Sequence, residues 1–481
     1  MLKAKGLGIV LLVLLAGGFA FATGTPEGAA AQQSIKGATI TVLSVQDPFY
    51  WGLEALNAQF EKETGVKVKL EPLSYDALMA RLTTSFITKE SDMDVVIVDD
   101  PRLAQFADNA WIIPLTDYLK KDKAEVDIKD FLPMALHTSC IWRGQVWTLP
   151  IAMYTQLVMY RTDLLKKAGL KAPPKSFEDW WTWDKYMEYV KSLAALGNGV
   201  YGTVIVGAQP APVTHMYTGL EVSKGVRWFK SFPGTPWDFT PSINTPQSVN
   251  ALNYYLELYK YSPQEAINYV WFDAGTAFST KDIGIFYWWS PYATLINRSG
   301  YMTNEKSKNV GLYDYAVMPQ EPGVEKKYAQ GGWSLGIPAF SKNKIAAWAY
   351  IKKMTSYKYQ KGMGLDPHVL QCFNDFTRTS CYADKELQAL YPSLPIQQEM
   401  AKFTDGKTAR PHFQLYPSLE GIYGLHINMA LAGQETTQQA LENIDKQFQI
   451  ILKQNYYLPF AGKDSDESIS RSMAVIDDLA K

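Results

Sequence analysis

Apolar and polar residues along the first ninety positions follow a repeating order of strand and helix. Residues 39–45 are rich in Thr, Ile and Val and predict a strand. Residues 49–63 carry apolar side chains at helical spacing, and Gly65 supplies the expected stop. Over residues 66–70, Val and Leu alternate with Lys, which predicts a second strand. The order strand, helix, strand is how an α/β domain begins.

A third strand and its helix extend this series. Ser74 is placed to cap a helix, and the continuous run Val-Val-Ile-Val at 95–98 is typical of a parallel strand covered on both faces. The sequence therefore predicts a doubly wound α/β domain. Ligands bind outside the carboxyl ends of the strands in such sheets. Asp47, Asp99 and Asp100 lie at such ends, as candidate ligand groups or as plain turn carboxylates.

Further elements are recognisable later in the chain. Thr245 is a predicted helix cap, followed by Pro at the first helical position. Residues 282–288 and 332–337 predict strands, and Ser341 is expected to cap the helix after the second of them. Helical patterns dominate from Lys385 onward. No repeat with a period of 20 to 50 residues is present.

Composition narrows the class of protein. The 481 residues, enough for about two to four domains, carry 47 Lys and Arg against 48 Asp and Glu, a formal net charge of -1. This balance predicts no nucleic-acid partner. Three Cys are too few for a disulfide-rich scaffold or a four-Cys metal site. Aromatic residues reach 13%, with 14 Trp and 29 Tyr, which is high.

The amino terminus has the features of an export signal. Lys3 and Lys5 precede the apolar residues 6–22, which end in the small-x-small pattern Ala-Phe-Ala. The sequence predicts a signal peptide at 1–22 and a flexible leader at 23–35, hence a periplasmic or extracellular location. Since no Cys lies near the cleavage point, no lipid anchor on an amino-terminal Cys is expected.

Export makes a disulfide feasible. Cys372 and Cys381 are nine positions apart and either form a local disulfide or remain two thiols. Cys140 would be left over and is expected to be buried.

Catalytic and metal-binding motifs give weak or contrary signals. The five His residues show no metal-ligand spacing, and no phosphate-binding loop occurs, so neither a metal nor a cofactor is predicted. Residues 197–202 fit G-x-G-x-x-G, but a helix precedes and a strand follows, the reverse of the dinucleotide motif. Residues 332–336 fit G-x-S-x-G, but Ser334 lies inside a predicted strand rather than at a nucleophile elbow. The chain is therefore predicted not to be an enzyme, although a glycosidase carboxylate pair stays open.

Aromatic residues cluster where predicted strands end. Residues 49–51 and 287–289 are such clusters, and Trp333 and Tyr416 stand at other turns. Aromatic faces stack on the C–H faces of sugar rings, while carboxylates and amides bind the hydroxyls. Core packing is the alternative role for each ring. An exported, aromatic-rich chain without a catalytic motif points to carbohydrate capture.

Several stretches, in order along the chain, resemble extracellular solute-binding proteins of ABC transporters, the family that includes maltose-binding protein. These stretches are residues 57–68, 94–100, 103–107, 113–119, 144–152, 158–170, 183–184, 331–338, 341–348, 410–411, 416–417 and 431–441.

The resemblance implies a fold of two doubly wound α/β lobes joined by a hinge, with the ligand cleft between them. The first lobe would comprise residues 36–150 and 280–330, and the second residues 151–279 and 331–481. The protein would capture a mono- or oligosaccharide and deliver it to ABC permease subunits in the membrane, acting as a monomer.

Matched positions also imply a ligand-binding set. Its members would be Asp47, Tyr50, Asp100, Arg102, Tyr154, Trp288, Trp289, Trp333 and Tyr416. The carboxylates and Arg would bind hydroxyls, and the Trp rings would stack. Tyr154 stands where maltose-binding relatives carry an acidic residue, and Pro101 leaves open whether Asp99 or Asp100 faces the cleft. His215 and Gln209 lie in a loop that often borders the cleft.

Two other functions remain open at this point. The same fold would also suit a polyamine, glycerol phosphate or another polar solute, and a cleft rich in acids or bases would distinguish these ligands. An exported carbohydrate-active enzyme or esterase is the other alternative.

Overall fold

The computed structural model describes residues 35–90, 92–296, 309–367, 369, 373–458 and 466–481. The predicted signal peptide, most of the predicted leader and Cys372 lie outside the described residues. The other two cysteines, Cys140 and Cys381, are buried. In the part of the chain that is described, no helix has the length and apolarity needed to cross a bilayer.

The strands are β1 (Thr39–Val45), β2 (Lys67–Leu73), β3 (Val95–Asp99), β4 (Ile141–Trp142), β5 (Gln145–Val146), β6 (Leu149–Arg161), β7 (Phe229–Ser231), β8 (Asp238–Pro241), β9 (Ile285–Trp289), β10 (Tyr313–Ala316) and β11 (Gln330–Gly336). The α-helices up to residue 295 are α1 (Pro48–Thr64), α2 (Tyr75–Thr88), α3 (Leu103–Asp108), α4 (Thr116–Lys121), α5 (Lys123–Val126), α6 (Pro133–Ser139), α7 (Thr162–Lys167), α8 (Trp183–Ala194), α9 (Ala211–Ser223), α10 (Pro246–Lys260), α11 (Trp271–Thr280) and α12 (Ser290–Leu295). The later helices are α13 (Lys344–Met354), α14 (Tyr357–Leu365), α15 (Thr379–Ala383), α16 (Lys385–Leu390), α17 (Leu394–Ala401), α18 (Gly406–Ala409), α19 (Tyr416–Leu431), α20 (Thr437–Gln454) and α21 (Ile469–Ala480). Short 3-10 turns occupy Asp100–Arg102, Ile128–Asp130 and Gln264–Asn268.

The main sheet has seven strands and begins as the sequence predicts. β2, β1 and β3 are parallel neighbours, and the apolar run of β3 is buried along its whole length. β11 then lies antiparallel to β3 and to the first part of β6. The second part of β6 pairs with β9 on one side and β10 on the other. The predicted α/β fold is confirmed, with antiparallel strands added to a parallel start.

β6 joins the two halves of this sheet. All thirteen of its residues are buried, and it is the strand that both halves share. Strand pairing groups the chain differently from the predicted division of lobes. Residues 285–289, predicted for the first lobe, pair with the second part of β6, whereas residues 333–336, predicted for the second lobe, pair with β3 in the first half.

Local signals set the helix starts that position the site. Ser74 and Thr245 accept hydrogen bonds from the backbone of their own helices, as predicted. Pro48 opens α1 directly after Asp47, so the chain turns at the carboxyl end of β1. The predicted cap at Ser341 is wrong by position, because α13 begins at residue 344 after Asn343; the Ser341 hydroxyl instead accepts from the Asn343 backbone N–H.

Both short motifs have structural explanations. α8 ends just before the G-x-G-x-x-G stretch, where Gly197 and Gly199 adopt left-handed φ angles of 66° and 80° as a helix stop. Ser334 is buried inside β11, and its hydroxyl donates to the Ser139 carbonyl at 3.1 Å. The predicted helix stop at the first motif and the predicted position of Ser334 inside a strand are both confirmed.

Candidate functional site

A cavity of about 460 Å³ opens at the carboxyl ends of β1 and β3, where the two halves of the sheet meet. Ligand cavities in proteins range over several hundred cubic ångströms, so it is large enough for a small solute. Its lining residues are Val45, Gln46, Asp47, Ser74, Tyr75, Asp76, Asp99, Tyr154, His215, Val270, Trp271, Phe272, Trp289, Tyr292, Gly331, Gly332, Trp333 and Arg410.

Asp47 is a hydrogen-bonded carboxylate on the cavity wall. Its Oδ2 accepts from the Tyr154 hydroxyl at 2.9 Å and from Trp333 Nε1 at 3.0 Å. Burial raises the pKa of Asp47 to about 7, although both hydrogen bonds lower it, and the nearby Asp99 adds to the rise. The three side chains come from separate parts of the chain, so Asp47 ties β1, β6 and β11 together at the cavity.

A second carboxylate, Asp99, ends β3. It pairs with Trp333 across the sheet, so both side chains project to the same face. The Tyr75 hydroxyl donates to Asp99 Oδ2 at 2.8 Å, and Arg102 Nε donates to the Tyr75 oxygen at 3.3 Å. Asp99 lines the cavity, while Asp100 turns into the interior and is fully buried.

Arg410 is the guanidinium of the lining and is committed to protein partners. Its Nη2 donates to Asp100 Oδ1 at 2.6 Å and to the Gln330 carbonyl at 3.0 Å. Its guanidinium carbon lies 5.7 Å from the centre of the Trp289 ring. Burial opposes the charge, but the nearby acidic groups, of which Asp100 has the largest effect, together outweigh burial and raise the pKa of Arg410.

Aromatic rings make up most of the remaining wall. The Tyr75 ring centre lies 5.3 Å from that of Trp271 and 6.1 Å from that of Trp333. Trp289 pairs with Gln156 in the sheet. Gln156 is two residues after Tyr154 on β6, so Trp289 and Tyr154 project to the same face of the sheet. The cavity thus offers ring faces beside two carboxylates, which suits a solute with both C–H faces and hydroxyls.

Four of the nine predicted site residues line the cavity: Asp47, Tyr154, Trp289 and Trp333. The other five lie outside the lining. Asp100 pairs with Arg410, and Arg102 donates to the lining residue Tyr75. Trp288 alternates with Trp289 along β9, so its ring points to the opposite face and is buried.

The remaining two predicted residues make contacts within their own helices. The Tyr50 hydroxyl donates to Glu54 Oε1 at 3.0 Å on α1. The Tyr416 hydroxyl donates to Glu420 Oε1 at 2.8 Å on α19, and its ring stacks on Trp228. These two positions therefore support neighbouring structure rather than the cavity surface.

Sequence reasoning missed several lining residues. Tyr75 and Trp271 begin helices α2 and α11, and Tyr292 lies near the start of α12. The signal for Tyr75 was present, because it directly follows the Ser74 cap after the second strand. Arg410 belongs to one of the stretches that resemble the family, but the resemblance implies no role for it. His215 lies in the loop that is expected to border the cleft.

In the described ranges, no group of three His, Cys, Asp or Glu side chains is arranged to hold a metal ion. The chemistry of the cavity is that of binding through hydrogen bonds and ring faces. A sequence profile of the bacterial extracellular solute-binding protein family matches residues 44–361. The chain belongs to this family.

Several known proteins align with this solute-binding protein over most of both chains. The mannitol-binding protein of Pseudomonas aeruginosa is 24% identical, over 84% of this chain and 90% of its own. A solute-binding protein of Agrobacterium radiobacter K84, solved with ribitol, is 28% identical, with a TM-score of 0.78 over 87% of this chain and 99% of its own. Maltose-bound MalE3 of T. maritima is 24% identical, with a TM-score of 0.74 over 86% and 100%.

These findings confirm the predicted family and two-lobed fold. The protein is the solute-binding component of an ABC importer, and the members of its family are solute-binding proteins rather than enzymes. The family description also places it outside the cytoplasm.

Replacing Asp47 by Asn should stabilise the ligand-free solute-binding protein at alkaline pH. The pKa of Asp47 is about 7 in the folded protein and near 3.8 in the unfolded chain, so the folded protein holds the proton more tightly. The stability that this proton gives is therefore lost as the pH rises from about 4 to 7. Asn still accepts from Tyr154 and Trp333. We expect the substitution to raise the free energy of unfolding by about 1–2 kcal/mol at pH 8. This is well below what the full pKa shift would give, because Asp47 is half-buried and faces the cavity.

Urea unfolding of both proteins at pH 4.5 and pH 8 measures this difference. The gain should be small at pH 4.5, where Asp47 is protonated in the folded state. An equal gain at both pH values would mean that the Asp47 proton is not involved.

Proposed function

We propose that this solute-binding protein captures a small polyhydroxylated solute, a sugar alcohol or a monosaccharide, for import. The observation that carries the proposal is the combination of Asp47 and Asp99 with the rings of Trp271, Trp289 and Trp333 around one cavity. The carboxylates accept from solute hydroxyls, while the rings cover its C–H faces. The mannitol and ribitol named for the two relatives are solutes of this kind.

The charges of the lining weigh against the other polar solutes. A phosphate ester needs a cation to pair with, but Arg410 is already bound to Asp100. Asp47 and Asp99 would also repel its phosphate. A polyamine needs carboxylates without cations beside them, whereas the Arg410 guanidinium shares this wall. An oligosaccharide such as maltose remains the second candidate, since MalE3 has this fold with maltose bound.

The proposal extends to the form in which the protein acts. The apolar stretch at 6–22 supports cleavage after Ala22, and the lack of a nearby Cys supports release without a lipid anchor. The mature protein acts as a monomer that meets the permease subunits with the solute enclosed. Two lobes, one built on β1, β2, β3 and β11 and the other on β9 and β10, close on the solute about β6.

A thermal-shift screen of the exported protein tests the proposed solute class. A solute that binds only the folded protein stabilises it by about 2.7 kcal/mol at a hundredfold excess over Kd. We expect D-mannitol, ribitol or a hexose to raise the melting temperature, with spermidine and glycerol 3-phosphate as charged controls. A rise with a charged control alone would contradict the proposal. The mass of the purified protein checks cleavage after Ala22, and its elution volume checks the monomer.

A further inference from the structure

Trp271 occupies the place where the two sides of the cavity meet. It begins α11, and its ring lies 5.3 Å from the Tyr75 ring, which comes from α2 on the other side. Its carbonyl accepts from Trp288 Nε1 at 3.2 Å, and Asp273 caps the helix by accepting from the Val270 backbone N–H. The backbone of Trp271 is therefore fixed by its neighbours, but these contacts do not set the direction of the indole ring.

The indole ring of Trp271 is hydrogen-bonded to His215. Trp271 Nε1 donates to His215 Nδ1 at 3.1 Å, and His215 Nε2 lies 2.9 Å from Glu420 Oε1. An indole N–H can only donate, so Nδ1 must carry a lone pair and the ring proton must sit on Nε2. The proton on Nε2 is then donated to the Glu420 carboxylate.

The groups around His215 maintain this arrangement. Glu420 also accepts from the Tyr416 hydroxyl and lies 4.0 Å from Arg102. Burial opposes its charge, but the hydrogen bonds from His215 and Tyr416 and the charge of Arg102 lower the pKa of Glu420, so it remains an acceptor. On the other side, Arg410 Nη1 lies 3.4 Å from Nε2. A proton on Nδ1 would oppose the Trp271 N–H.

We propose that His215 is a positioning residue for solute specificity. As the neutral Nε2–H tautomer, held by Glu420, it directs the Trp271 indole across the cavity toward Tyr75, where that ring covers the solute. The effect on affinity rests on the proposed function, whereas the tautomer and the indole hydrogen bond exist without solute. The two parts are therefore tested by separate measurements.

Two substitutions divide the roles of the imidazole. In His215→Asn, the amide oxygen replaces Nδ1 as the acceptor for Trp271, and the contact with Glu420 is lost. In His215→Gln, the amide nitrogen replaces Nε2 as the donor to Glu420, and the acceptor for Trp271 is lost. We expect His215→Gln to weaken D-mannitol or ribitol binding at least tenfold and His215→Asn less than threefold. Equal losses in both variants would indicate a purely structural role and overturn the proposal.

Nuclear magnetic resonance of the ligand-free protein tests the arrangement directly. Long-range ¹H–¹⁵N spectra, with His215 assigned by its absence in His215→Asn, should show the neutral Nε2–H tautomer at pH 7. The Trp271 indole cross-peak, assigned by Trp271→Phe, should move in His215→Gln and remain near its position in His215→Asn. An imidazolium, an Nδ1–H tautomer, or an unmoved indole signal in His215→Gln would each refute the proposal. His426→Asn is the matched control, because His426 lies on α19 and is paired with Glu435; it should leave the Trp271 signal and the affinity unchanged.

Discussion

Replacing Arg410 by Met should lower the free energy of unfolding by about 3–5 kcal/mol. Arg410 and Asp100 are fully buried and joined at 2.6 Å, so the substitution leaves a carboxylate in the interior without its cation. Arg410 also supports the Gln330 carbonyl and lies against Trp289. Urea unfolding at pH 7, monitored by Trp fluorescence and circular dichroism, measures the loss.

A double-mutant cycle separates the buried charge from the lost packing. Asp100→Asn in the Arg410→Met background removes the uncompensated carboxylate, so it should cost much less there than in the parent protein, or restore stability. If the two substitutions are simply additive, the pair contributes no coupling and the expected loss has another origin.

Trp333→Ala should weaken solute binding by at least about 30-fold. Trp333 presents its ring to the cavity and holds Asp47 through its indole N–H, so the substitution removes a stacking surface and a positioning contact together. Truncating such a buried aromatic anchor costs about 2 kcal/mol or more, which corresponds to the expected change in Kd. Isothermal titration with D-mannitol, ribitol or whichever sugar stabilises the protein measures the effect.

Two matched variants identify which property of Trp333 matters. Trp333→Phe keeps a ring but loses the donor to Asp47, so its affinity should fall between those of the parent and Trp333→Ala. Trp180→Ala removes a half-buried Trp whose side chain interacts with Glu178 and Lys171, outside the cavity lining, and should leave Kd unchanged. Affinity within threefold of the parent in Trp333→Ala would contradict a stacking role.

Local sequence signals predicted the early fold well. The alternation in β2, the apolar run of β3 and the Ser74 cap depend on neighbouring residues, so their pattern is visible in the sequence. The position of β11 is different. It was predicted as a strand, but its insertion between β3 and β6 depends on contacts with residues more than 170 positions away, which no local pattern records.

The same distinction explains the site. Asp47 and Trp333 could be predicted from the sequence, because ligands in α/β folds bind at the ends of strands. The choice between Asp99 and Asp100 required the register of β3 against β11, where Asp99 pairs with Trp333. Trp271 could not be predicted, because its ring is hydrogen-bonded to His215, which lies on a different helix.

The late arrival of β11 has a consequence for synthesis of the chain. Until residues 330–336 emerge, the facing edges of β3 and the first part of β6 have no strand to fill the gap between them. Both edges are apolar, and unpaired edges of this kind promote aggregation. Pairing across so many residues is also slow, because a long loop must close first. Until β11 is synthesised, the nascent protein therefore has an incomplete sheet, which is a state that chaperones recognise.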